Sequence, residues 1–169
     1  MLKLFSFAIA LLLFSCAAKT GQTPAPPTEQ PAPEDLLGPL AYQDILATFP
    51  NWGDVDNATA VDPEQVRPIA NISEQYHIVV FLGTWCGDSR RGVPPFMKTL
   101  AAAGNPNLTL ELIGVDHDKF DPDLKAPEAN IERVPTFVIY REGEEVGRLI
   151  EFPEGDNFAA DFINLVAHN

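Results

Sequence analysis

The stretch from His77 to Gly104 constrains this chain more than any other part. "HIVVFLG" is a run of β-branched and aromatic residues with no polar break after His77, and it reads as a buried strand. "DSRRGVPPFMKTLAAAG" follows a few residues later. Its apolar positions Val93, Phe96, Met97 and Leu100 recur at helical spacing, and Gly104 supplies the stop. "LTLELIGVD" then reads as a second strand. Strand, helix and strand make a βαβ unit, which crosses over right-handed and sets its strands parallel. In such a sheet, functional groups gather beyond the carboxyl ends of the strands. "GTWCGDS", Gly83 to Ser89, occupies that place.

The flanking segments extend the pattern. Leu36, Leu37, Leu40, Ile45, Leu46 and Phe49 recur at three- and four-residue spacing and predict a helix, ended by the Pro50-Asn51-Trp52-Gly53 cluster. Phe49 and Trp52 are expected to pack against the domain rather than form a lid. "DPEQVRPIANI" predicts a short helix, with Asp62 as cap and Pro63 in the first turn. "PDLKAPEANI" is a loop or short helix. "TFVIYRE" and "EVGRLIE" are two strands around a tight turn at Gly143. "NFAADFINLVAHN" closes the chain as an amphipathic helix with Phe158, Phe162, Ile163 and Val166 on one face. The expected fold class is α/β, a central mixed β-sheet flanked by helices.

The start of the chain reads differently. "MLKLFSFAIALLLFSC" pairs Lys3 with an apolar run from Leu4 to Phe14, too short to span a bilayer comfortably, and this predicts a signal peptide over 1–15. Leu13-Phe14-Ser15-Cys16 resembles a bacterial lipobox, in which Cys16 becomes the lipidated N-terminus. The Pro-, Ala- and Thr-rich segment over 16–35 cannot bury enough surface to offset its ordering entropy, so a disordered tether is expected. The expected division is then a helical extension over 36–75 and the main domain over 76–169. This layout places the protein in a bacterial cell envelope, lipid-anchored, with its domain facing the periplasm.

The formal net charge of −13 argues against nucleic-acid binding and against adhesion to anionic headgroups. With Cys16 lipidated, Cys86 has no intrachain partner, so no structural disulfide is expected. Asn57, Asn71 and Asn107 begin N-x-S/T sequons, which carry no meaning in a bacterial lipoprotein.

Cys86 opens a helix. There the unpaired backbone N–H groups and the helix dipole stabilise a thiolate. Arg90 and Arg91 add positive potential one turn on, and Asp88 opposes them. A buried core cysteine fits poorly with Trp-Cys-Gly-Asp-Ser at a strand-to-helix turn.

Several ordered features resemble the thioredoxin fold, and within it the bacterial envelope thioredoxin-like lipoproteins. The likeness runs from about Ile78 to Val166. Trp85-Cys86-Gly87 matches the W-C-G triplet, and Pro94 matches the proline that kinks the active-site helix. Asp116 matches the aspartate that commonly ends the next strand. Val134-Pro135-Thr136 matches the cis-proline loop, and the strand–turn–strand and last helix follow in order. The resemblance implies that Cys86 attacks a disulfide sulfur to give a mixed disulfide. It implies that Trp85, Gly87 and Asp88 line the substrate groove. It also implies that the backbone of Val134, before Pro135, pairs with the substrate as an added strand.

The departures are informative. Where the family has C-G-P-C, this chain has Cys86-Gly87-Asp88-Ser89. Ser89 can hydrogen-bond the Cys86 thiolate but cannot form a disulfide with it. Six residues before Cys86, Val80 stands where thioredoxins carry a buried aspartate. Dithiol reduction by this chain alone is therefore excluded. What remains is monothiol exchange, of the isomerase or mixed-disulfide type, through Cys86 with Ser89 beside it. The alternatives are a redox-inactive binding or scaffold module and a partner-dependent redox sensor. Expected partners are protein or small-molecule thiols and disulfides, and the membrane through Cys16; a monomer is expected. No cofactor or metal signature is readable. "DHDKFDPD", Asp116 to Asp123, lacks the ligand and glycine of a calcium loop and reads as a solvated acidic loop. His117 falls near the cysteine end of the sheet, while His77 and His168 read as surface residues.

Overall fold

The computed structural model describes residues 33–168. The signal peptide, Cys16 and the tether as far as residue 32 lie outside the described residues. Along the described chain run β1 (Gly38–Leu40), α1 (Tyr42–Thr48), α2 (Pro50–Ala58), α3 (Pro63–Ala70), β2 (Tyr76–Leu82) and α4 (Gly87–Ala103). They are followed by β3 (Leu108–Gly114), α5 (Lys125–Glu128), β4 (Thr136–Arg141), β5 (Glu144–Ile150) and α6 (Phe158–Ala167). Among the described residues no helix is long and apolar enough to cross a membrane.

One mixed sheet of order β1-β3-β2-β4-β5 organises these elements. β2 lies at its centre, parallel to β3 and antiparallel to β4. Only His77 of this strand is exposed, which is why it reads as a nearly continuous apolar run. Successive side chains point to opposite faces. Ile78, Val80 and Leu82 face a large core with Trp52, Phe96, Phe137, Phe158 and Phe162, built by α1, α2, α3, α4 and α6. Val79 and Phe81 face a smaller cluster with Ile113, Val115, Val134, Val138 and Cys86, to which α5 contributes Ala126. β4 and β5 join through Glu142 and Gly143, both at positive φ, a hairpin turn matched to strand twist.

The strands and helices expected from His77 onward are present, and α3 has the expected start: Asp62 accepts a hydrogen bond from the Glu64 N–H, with Pro63 in the first turn. The segment before them differs from expectation. No helix begins at Leu36; Gly38–Leu40 form a short strand antiparallel to β3, so the extension expected to be helical enters the sheet. Pro50 does not end a helix but starts α2, because a proline at the first helical position lacks only an N–H that would have no partner there. Phe49 and Trp52 are buried, packed on the domain as expected.

Candidate active site

The turn between β2 and α4 carries Thr84, Trp85 and Cys86, and three separate parts of the chain hold it. Trp52 of α2 donates its indole N–H to the Thr84 carbonyl at 3.2 Å. The Thr84 hydroxyl accepts from the Leu36 N–H at 3.2 Å and donates to the Asp35 carboxylate at 3.2 Å. Trp85 donates its indole N–H to the Val115 carbonyl at 3.0 Å. Two glycines make these approaches possible. A Cβ on Gly83 would lie 2.6 Å from the Trp85 indole, and one on Gly114 would lie 2.1 Å from the Leu36 carbonyl oxygen.

Cys86 is the N-cap residue of α4, in extended conformation. It is 8% exposed. Its Sγ donates to the Val134 carbonyl at 3.3 Å. The Val134–Pro135 peptide is cis, and the Pro135 carbonyl accepts from the Glu151 N–H at 2.7 Å. The sulfur therefore faces the cis-proline loop. The first backbone N–H groups of α4, which have no partner within the helix, lie at the same end.

Ser89 is fully buried, and its Oγ accepts from the Gly83 N–H at 3.3 Å. The bond expected between Ser89 and the Cys86 sulfur is not the one made: the hydroxyl points back to the end of β2. There it satisfies a backbone donor that would otherwise be buried without a partner. Gly87 and Asp88 are half-buried. Asp88 forms an ion pair with Arg91 one turn on, so part of the positive potential expected from Arg91 is already matched. Val80 is fully buried among apolar side chains, and no carboxylate takes its place.

Sequence spacing did not reveal the surroundings of Trp85. His117 stacks on the indole with ring centroids 4.1 Å apart and planes 16° apart. The Lys119 ammonium lies 5.9 Å from the same ring, within the range of a cation–π attraction. Asp35 lies 3.7 Å from His117 Nε2. Trp85 is thus clamped between the Gly83 backbone and a histidine 32 residues away in sequence. In the acidic loop, Asp116 accepts from the Asp118 and Phe120 N–H groups. Asp121, expected to be solvated, is buried and accepts from the Asp123 and Ala126 N–H groups, fixing the start of α5. Among the described residues no group of three or more His, Cys, Asp or Glu could hold a metal ion.

A family model described as Thioredoxin matches residues 48–159. The chain belongs to the thioredoxin family. The match starts at the end of α1, well before the Ile78 at which the likeness was expected to begin, so α2 and α3 fall inside the family domain. Among curated proteins, thioredoxin-2 of Pyricularia oryzae is 32% identical over 78 residues, 46% of this chain and 42% of that one. Putative thioredoxin-5 of Dictyostelium discoideum is 35% identical over 71 residues, 42% of this chain and 64% of that one. The matched part thus spans less than two thirds of either relative. A solved protein of unknown function from Pseudomonas aeruginosa superposes with TM-score 0.54 at 15% identity, over 75% of this chain and 84% of that one. At that identity the likeness concerns the fold.

Proposed function

We propose that this protein is a membrane-anchored thiol–disulfide exchange protein that works through one thiol. The observation that carries this reading is the Cys86 sulfur at the start of α4, 3.3 Å from the Val134 carbonyl beside Pro135. Cys86 is the cysteine of the described residues, and Ser89 holds the position of a second thiol. The thioredoxin relatives support a redox role.

The chemistry follows from one thiolate. The Cys86 sulfur attacks one sulfur of a substrate disulfide, forming a Cys86–substrate disulfide and releasing the other sulfur as thiolate. A thiol of the substrate, or of a second molecule, then attacks that mixed disulfide. It forms a new disulfide and returns Cys86 as thiolate; its proton passes to the thiolate released first. One bond breaks and one forms in each step, and there is no net oxidation. Ser89 cannot make the second attack, so release depends on an external thiol. The Val134 backbone aligns the substrate chain, and Trp85 forms the groove wall. Lipid on Cys16 would hold the domain at a membrane of the cell envelope.

One observation favours a second reading, a redox-inactive module that holds a peptide in the same groove: Cys86 is a buried residue. Incubation of the full chain with a protein carrying scrambled disulfides separates the two. Monothiol exchange gives a mixed disulfide on a non-reducing gel and recovery of native pairings without net thiol consumption. Both should vanish in Cys86→Ala. Failure of the native protein to form a mixed disulfide would leave the binding module.

A further inference from the structure

The two strands at the heart of the sheet are seven residues each, or about 23 Å long at roughly 3.3 Å per residue. Among the described residues the only helix on the face bearing Val79 and Phe81 is α5, with four residues, about 6 Å at roughly 1.5 Å per residue. It cannot cover that length. An open cleft of about 740 Å³ runs along β2 from Tyr76 to Phe81 and along β3 from Thr109 to Ile113, within the size range of small-molecule sites. Cys86, Trp85 and Val134 do not line it.

Its construction is specific. Val79, Phe81 and Ile113 form an apolar floor, all buried. His77 and Tyr140 form a wall of two rings 6.3 Å apart, tilted by 34°. His77 is fixed in place by a 3.0 Å contact between Nδ1 and the Thr109 hydroxyl. The rim carries three carboxylates, Glu111, Glu128 and Glu142, against one ammonium, Lys125. That ammonium is already bonded to Glu111 at 2.5 Å. Glu128 and Glu142 have no ion-pair partner among the described residues. The rim is therefore negative above an apolar, partly aromatic interior.

We propose that this cavity binds an organic cation: an apolar body seated on Val79, Phe81 and Ile113, with an ammonium or guanidinium group at the carboxylate rim. The ring face of Tyr140 adds an attraction for the same charge. An anionic ligand of the same shape meets Glu128 and Glu142 instead. Cys86 does not line the site, although it packs in the same cluster as the floor residues Val79, Phe81 and Ile113, and binding there does not depend on exchange chemistry.

Three probes of nearly equal size test it: 2-phenylethylammonium, 3-phenylpropionate and 2-phenylethanol, titrated separately into the isotope-labelled full chain and followed by amide NMR shifts. The expected result is saturable movement of the His77, Thr109, Glu111 and Glu142 amides with the ammonium, at an affinity at least tenfold above that for the carboxylate. Glu128→Lys combined with Glu142→Lys, two exposed positions, should weaken ammonium binding about tenfold and leave the rest of the spectrum in place. Equal binding of all three probes overturns the proposal. So does the absence of any saturable shift, shifts centred elsewhere, or an unchanged affinity in the double variant.

Discussion

The two faces of the sheet are built to different standards. On one, α1, α2, α3, α4 and α6 enclose Trp52, Phe96, Phe137 and Phe162 with little or no exposure. On the other, α5 and its flanking loops cover one end and leave a cavity over the rest. Cys86 belongs to the thinner face, yet the turn bearing it is anchored by Trp52 from the thicker one. The difference teaches that stability and access are separated across one strand. Alternate residues of β2 serve each in turn.

The largest test of this contrast is Trp52→Ala. It deletes a fully buried indole and its bond to Thr84, and should cost about 3–5 kcal/mol in denaturant unfolding. A loss below 1 kcal/mol would mean that the thicker face is not the anchor. Ser89→Ala comes next. It strands the buried Gly83 N–H and should cost about 1–3 kcal/mol, measured the same way. Ser89→Cys should instead yield a reducible disulfide with Cys86, seen as a loss of free thiol under oxidant; a chain that keeps both thiols would refute the placement of both sulfurs on one turn.

Adjacent valines compare the faces directly. Val80→Ala should cost about 2 kcal/mol, and Val79→Ala, at the cavity floor, about 1 kcal/mol. Equal losses would show that the cavity is closed in solution. Alkaline titration gives the finest comparison. Burial, then the hydrogen bond to Asp56 and its negative charge, push the Tyr42 hydroxyl far above its ordinary range. Burial and then Glu145 push Tyr140 up, with Arg148 opposing. Each raised group holds its proton in the folded state after the unfolded chain has lost it. Both contributions are therefore complete below about pH 10 and decline as pH rises beyond it. Tyr42→Phe should flatten that decline more than Tyr140→Phe. The reverse order, read from stability between pH 9 and 11, would remove the contrast.

Much of this architecture was legible in the residues. β2 and α4 announce themselves because a buried run of β-branched residues and a helical apolar stripe are strong local signals. The Cys86 turn and the Pro135 loop were readable as motifs. β1 was not, because Gly38-Pro39-Leu40 has no strand character of its own and acquires it by pairing with β3, more than seventy residues away. α2 was misread because Pro50 was taken as a stop, although proline starts helices as well as ending them. A stacking contact such as Trp85 on His117 leaves no periodic trace. The partner of Ser89 was equally hidden, since the hydroxyl turns back across the loop to Gly83 rather than along the helix to Cys86.

The bonds from Asp35 and Leu36 to Thr84 have a mechanical meaning. Asp35 and Leu36 lie beside the reactive turn. A pull on the residues before Pro33 loads these two hydrogen bonds first, then the three-residue ladder of β1, and only later the helices. Tension applied there would thus reach the turn holding Cys86 before it reaches the core.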